Sequence, residues 1–142
     1  MNVLVDTSIW SLALRRQHHD LSSQEASLKQ ELSLLIEENR VQLIGPVRQE
    51  LLSGIRRFEQ FLRIREQLRP FQDVALDAED FEEAARMHNE CRSAGITGSN
   101  VDFLICAVAI RQEWQVFTMD KDFQLYARHI PLVLFAPRKY RP

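Results

Sequence analysis

Asn2-Val3-Leu4-Val5-Asp6-Thr7-Ser8-Ile9-Trp10 decides how the rest of the chain is read. Residues 3–5 are consecutive apolar side chains, two of them β-branched, the pattern of a short strand covered on both faces. The run ends abruptly in a carboxylate and two hydroxyls, and a helical pattern begins at Ile9. In an open parallel sheet, loops converge at the carboxyl ends of the strands and helix N-termini aim their amides there. An acid delivered to that edge stands where sites are built. Asp, Thr and Ser are also preferred N-cap residues, so for Asp6 alone the cap and the site both remain open.

The same arrangement recurs along the chain. Residues 41–44 read as a second strand, closed by Gly45-Pro46, and the helix that follows carries Arg48, Gln49 and Glu50 before a stop at Gly54. Residues 114–118 read as another strand, followed directly by Met119-Asp120-Lys121-Asp122-Phe123. Weaker strands are expected at 71–76 and 131–135. Between them lie helices: 9–14; a long one introduced by the capping-box sequence Ser22-Ser23-Gln24-Glu25 and running to about Glu38; 55–68; and one capped by Asp77-Ala78-Glu79-Asp80 that stops at Gly95. A glycine-bounded loop then leads through Ser99 and Asp102 into residues 103–110, a helix apolar on every side and therefore central. Ser99 and Asp102 read as a capping pair or as the mouth of a site. The alternation predicts an α/β fold, three layers α/β/α about a central, mostly parallel twisted sheet of about five strands, in a single domain over 1–142.

Composition bounds the function. The 142 residues are 45% hydrophobic and 27% charged, an ordinary globular balance in a chain long enough to bury roughly 68% of its unfolded surface. Eighteen basic and 20 acidic side chains leave a formal charge of -2, so contacts with a polyanion must come from local clusters. One such cluster is the helix at 55–68, where Arg56, Arg57, Arg63 and Arg65 are interspersed among apolar residues; a solvated face and a phosphate-contacting face are both compatible with it. A second basic stretch is the C-terminal tail with Arg138, Lys139 and Arg141. Cys91 and Cys106 lack CxxC spacing and read as buried free thiols, which suits a cytoplasmic protein. Neither a signal-peptide pattern nor an apolar run of membrane-spanning length is present, so no membrane role is expected. His18, His19 and Asp20 in a loop, and the His88/Cys91 pair on a helix, supply too few convergent ligands for zinc.

Asp6, Glu50, Asp102 and Asp120 each follow a strand end or open a helix, so a parallel sheet would collect them at one edge. Clustered carboxylates repel, and without compensation some take up protons. A hard divalent cation, Mg2+ with Mn2+ as a possible substitute, removes that conflict, prefers oxygen ligands and keeps several waters. Water activated beside a phosphodiester means in-line hydrolysis.

These residues resemble a known family. Val5-Asp6-Thr7-Ser8-Ile9-Trp10, the Glu50-Leu51 helix, Asp102 opening an apolar helix, and Thr118-Met119-Asp120-Lys121-Asp122-Phe123 are together similar to the PIN-domain ribonucleases, specifically the VapC-type toxins of bacterial toxin–antitoxin pairs. The resemblance spans nearly the whole chain. It implies a Mg2+-dependent endoribonuclease acting on RNA, structured RNA such as tRNA or rRNA included, with homodimerisation and silencing by a cognate VapB-like antitoxin. Asp6, Asp102 and Asp120 match the family's metal ligands and Glu50 its remaining catalytic acid. Asp122 matches a less constant acid, and Thr7, Ser8 and Thr118 would orient ligands or water. Where the family often has a small residue after the third acid, this chain has Phe103. Two rivals belong to other classes: a non-catalytic PIN-like module that binds RNA or protein, and a phosphoacceptor or phosphohydrolase using Asp6 as nucleophile, for which a second acid beside Asp6 is missing.

Overall fold

The computed structural model describes residues 1–138; Lys139 and Arg141 of the basic tail lie outside the described residues. β1 (Val3–Val5) is the centre of a three-stranded parallel sheet, with β2 (Val41–Gln42) on one side and β3 (Gln115–Phe117) on the other. Val3 pairs with Val41 and with Gln115, and Val5 with Phe117. All three residues of β1 have no exposure at all, which is why an uninterrupted apolar run, rather than an alternating one, occupies this position.

The two weaker strands are each reduced to a single parallel bridge, Leu43 with Asp73 and Val116 with Leu134, one at each margin of the sheet. The expected five strands are therefore three strands with two bridged margins. At 71–76 the cause is Arg48, whose guanidinium donates to Asp73 Oδ1 at 2.9 Å, to the Leu68 carbonyl at 3.1 Å and to the Phe71 carbonyl. That segment directs its polar groups to an arginine instead of a ladder. At 131–135, Pro131 has no amide to donate and Leu132 turns back onto the Ile130 carbonyl, leaving only the bonds Val116 N to Val133 O and Phe135 N to Val116 O.

Seven α-helices are described: α1 (Thr7–Leu14), α2 (Ser23–Glu37), α3 (Gly45–Leu52), α4 (Phe58–Leu68), α5 (Ala78–Ser93), α6 (Asn100–Gln112) and α7 (Asp122–Tyr126). α1 starts two residues before the apolar periodicity because Asp6 caps it, and α4 starts at Phe58 rather than 55 because Gly54, at φ +80°, turns the chain first. The Ser22/Glu25 and Asp77/Asp80 capping boxes both form. α6 is the central helix, buried without interruption from Phe103 to Ala109. Cys91 and Cys106 are free, buried thiols. Among the described residues no helix is long and apolar enough to cross a membrane.

Candidate metal centre at the carboxyl edge of the sheet

β1 and β3 end side by side, and their next residues meet. The Asp6 amide donates to the Phe117 carbonyl at 2.9 Å, extending the ladder by one bond and aligning Asp6 with Thr118. Asp6 is only 5% exposed, so its charge requires partners. Its Oδ2 accepts from the Ser8 hydroxyl at 2.7 Å, from the Thr118 hydroxyl at 2.8 Å and, as the N-cap of α1, from the Ser8 amide at 3.4 Å. Each hydroxyl has one proton and both are directed to Asp6, so the 3.3 Å approach of Ser8 Oγ to Thr118 Oγ1 is a contact imposed by a shared acceptor. The hydroxyl oxygens in turn accept the Met119 amide at 3.1 Å and the Asp120 amide at 3.0 Å. Asp6 is thus the cap of α1, and Ser8 and Thr118 join the start of α1 to the loop after β3.

Thr118→Val removes one donor to a buried carboxylate and the acceptor of the Asp120 amide. A loss of about 1.5–3 kcal/mol in unfolding free energy is expected, the usual range for a hydrogen bond to a charged group. Urea unfolding without added metal measures it, and an unchanged midpoint would refute the role assigned to this hydroxyl.

The other acids are held in a similar way. Glu50, one helix away on α3, accepts the Thr7 hydroxyl on Oε1 at 2.6 Å. Asp120 accepts the Asp122 amide on Oδ1 at 2.9 Å. Asp102, in the first turn of α6 behind the Ser99 cap, accepts the Tyr126 hydroxyl on Oδ2 at 2.8 Å. In every case one carboxylate oxygen is bound, and among the described residues the second receives no hydrogen bond: Asp6 Oδ1, Glu50 Oε2, Asp102 Oδ1 and Asp120 Oδ2. Asp122 lies exposed at the start of α7 with no bond to its carboxylate.

Asp6 and Asp120 also act electrostatically on Asp102. Burial lifts the Asp102 carboxyl above its ordinary value, and the charges of Asp6 and Asp120 lift it further, against the bond from Tyr126 that favours the anion. The Tyr126 hydroxyl is pushed well above the usual phenol range, first by burial and then by Asp102. Beneath the cluster the Cys106 thiol is raised strongly, by burial and then by Asp102, so it stays protonated.

Tyr126 has no sequence signal, since its contact spans 24 residues. It is fully buried and packs at 4.7 Å between ring centroids on Phe103, which also meets His88 edge-on at 5.2 Å. His88 is thus an aromatic packing partner. Phe103, the bulky residue after the third acid, fits because Gly98 leaves the space: a Cβ there would overlap the Tyr126 hydroxyl and lie 2.7 Å from Tyr126 Cζ and 2.9 Å from Phe103 Cε2.

The donor set suits a hard cation, being all oxygen and carrying surplus negative charge. Among the described residues no three of these side chains close on a single point. Mg2+ does not require that, because it keeps several waters and is commonly held through one or two carboxylates.

The PIN domain family model matches residues 3–129. Two curated relatives, VapC ribonuclease Mb1587 of Mycobacterium bovis and Ribonuclease VapC11 of Mycobacterium tuberculosis, are each 28% identical over 128 residues, 89% of this chain and 92% of theirs. Among solved structures, VapBC2 of Rickettsia felis bound to a promoter DNA fragment aligns with a TM-score of 0.73 at 20% identity, covering 95% of this chain and 98% of that one. FitAcB of Neisseria gonorrhoeae aligns with a TM-score of 0.72 at 22% identity, covering 95% and 97%. At those identities the structural likeness speaks to the fold alone.

Proposed function

Given that the chain belongs to the PIN domain family, we propose that it is a metal-dependent endoribonuclease, the toxin of a toxin–antitoxin pair, using Mg2+ or in its place Mn2+ to hydrolyse RNA in the cytoplasm. One observation supports the reading: Asp6, Glu50, Asp102 and Asp120 are each fixed through one carboxylate oxygen, and among the described residues the other has no protein hydrogen-bond partner. An oxygen without a protein partner remains open to water or to a cation, which is what a ligand-binding acid requires.

Asp6, Asp102 and Asp120 would hold the ion. When bound, it offsets negative charge on the phosphate and makes a coordinated water more acidic. The chain's own groups do the rest. Ser8 and Thr118 occupy Asp6 Oδ2, which would leave Oδ1 for the ion, and Tyr126 would do the same for Asp102. Glu50, oriented by Thr7, takes the proton of the attacking water at Oε2. The water oxygen forms a new bond to phosphorus as an ester P–O bond breaks, the departing oxygen takes a proton from solvent, and one phosphate end and one hydroxyl end result.

The curated relatives are named as VapC ribonucleases and a structural neighbour as a VapBC complex. That likeness supports a VapB-like antitoxin as partner, and the motif resemblance adds structured RNA such as tRNA or rRNA as substrate and homodimerisation. The test is cleavage of total RNA by the purified chain with Mg2+, with EDTA, and with Asp6→Asn. Cleavage that needs the metal and is lost in the variant supports the reading. Undiminished cleavage by Asp6→Asn, or none by the wild type with either metal, overturns it, and metal-independent RNA binding without cleavage returns the chain to the non-catalytic rival.

A further inference from the structure

Beside the acids lies a hollow of about 440 Å³, between the start of α2 and the loop after β3. Thr118 and Asp120 line it themselves, so it adjoins the carboxylate edge directly. Leu28 of α2 contributes apolar surface, and so do Leu134, Phe135 and Pro137 from the last described stretch of chain. That stretch is fixed in place. The Phe135 amide donates to the Val116 carbonyl at 2.8 Å, its ring meets Phe117 edge-on at 5.1 Å, and Arg40 lies over the ring at 5.8 Å. Beyond Pro137, Arg138 donates to the buried Glu31 at 2.9 Å and to both oxygens of Glu38. A hollow with a wall held at both ends is pre-formed, as ligand sites usually are.

Polar groups complete the lining. Gln24 and Gln124 are exposed, and each offers an amide donor and acceptor. Lys121 is the one cation among the described lining residues. It is exposed, and its ammonium makes no ion pair or hydrogen bond among the described residues. The lining carboxylate of Glu25 is already taken up by Arg16 and by the Ser22 amide. Met119, 40% exposed, adds an apolar face next to Asp120.

One kind of occupant uses all of these groups. A peptide carboxylate here would meet the charge of Asp120, a peptide cation that of Lys121, and a neutral segment would leave the ammonium without a partner. A nucleotide places its base against Leu28, Leu134 and Phe135, the edge of the base on the two amides, and a phosphate oxygen on Lys121. Because Asp120 belongs to the lining, a chain whose phosphodiester is held at the acids brings its adjoining nucleoside within reach of the hollow. We infer that this hollow is a base-binding subsite for the substrate nucleotide next to the cut bond, with Lys121 on its phosphate and Gln24 and Gln124 reading its base. The inference rests on the nuclease reading for its substrate class, and binding is tested apart from cleavage.

The four nucleoside 5′-monophosphates are titrated with Mg2+ into the full, isotopically labelled chain, and the Leu134 methyl and glutamine side-chain amide signals are followed by NMR. At least one nucleotide is expected to shift them saturably, while ribose 5-phosphate, which lacks a base, leaves the Leu134 methyls unmoved. Lys121→Ala should weaken nucleotide binding about tenfold, the scale of one charge-assisted hydrogen bond. Gln24→Ala/Gln124→Ala should level the differences among the four bases, about fivefold or more in the wild type. All three side chains are exposed, and unchanged thermal melts establish that the variants fold. Leu134 methyls that stay still with every nucleotide, or undiminished affinity in Lys121→Ala, would overturn the inference. So would equal shifts with N-acetylphenylalaninamide, an apolar probe without phosphate, which would make the hollow a protein dock. Wild-type cleavage of a randomised RNA should show a base preference beside the cut that the glutamine variant loses, and a preference that survives unchanged would also overturn it. Absence of cleavage removes the nuclease reading, while the NMR result still decides the hollow.

Discussion

Asp102→Asn is expected to reduce metal-dependent RNA cleavage by about 10²–10⁴-fold while raising the melting temperature of the metal-free chain by a few degrees. The loss follows from removing a charged ligand where several kcal/mol of transition-state stabilisation depend on it, each ~1.4 kcal/mol being tenfold in rate. The gain follows from linkage. The Asp102 carboxyl titrates above its ordinary value of 3.8 because burial, then Asp6, then Asp120 disfavour the anion over the opposing bond from Tyr126. The folded chain therefore holds this proton to higher pH than the unfolded chain does. Its contribution to stability is fully present below the unfolded value and is lost as pH rises through the folded one. At pH 7 the wild type carries the whole penalty, and the amide, which still accepts from Tyr126, does not.

The stability difference between variant and wild type should accordingly be largest near neutrality and vanish in acid below the ordinary carboxylate range. Added Mg2+ should raise the wild-type melting temperature more than the variant's, because binding to the folded state alone stabilises it. A variant that cleaves normally would remove Asp102 from the site. One that melts lower than the wild type at pH 7 would mean that the bond from Tyr126, and not the repulsion, dominates this residue. A destabilised site that activity requires is a familiar exchange of stability for function.

Gly98→Ala is expected to lower stability by about 1–3 kcal/mol, the cost of overpacking a filled interior, and to cut cleavage at least tenfold. Its added methyl would overlap the Tyr126 hydroxyl and crowd Tyr126 Cζ and Phe103 Cε2 at 2.7 and 2.9 Å. Neither ring can retreat into solvent, since both are buried and pressed together. The Tyr126 ring and its hydroxyl must shift together within the core, and that shift releases Asp102 Oδ2. Tyr126→Phe separates the two effects: it keeps the packing but removes a bond that holds the Asp102 pKa down, so the acid limb of the pH–rate profile should shift to higher pH. Gly98→Ala with Phe103→Ala should recover part of the lost stability by opening room on the other side. If Gly98→Ala is as active and as stable as the wild type, the packing of this loop does not position Asp102.

The candidate acids and their order were legible because each carries a local mark. Asp6 ends an apolar run, Glu50 follows Gly45-Pro46, Asp102 sits behind Ser99, and Asp120 follows a second apolar run. Strand ends and helix caps are short-range events, and a parallel sheet brings its strand ends to one edge. The alternation of apolar runs with amphipathic stretches likewise determined the α/β class and the burial of α6. Sheet width was less legible: residues 71–76 have strand-like composition, but Arg48, 25 positions from Asp73, takes their polar groups. What only tertiary structure decided is how each carboxylate is used. The hydroxyls of Ser8 and Thr118 lie 110 positions apart yet meet on one oxygen of Asp6, and Tyr126 reaches Asp102 through a gap left by Gly98. Local periodicity places a side chain on a face, but the atom it touches depends on close packing between elements, and no short window of sequence contains that geometry.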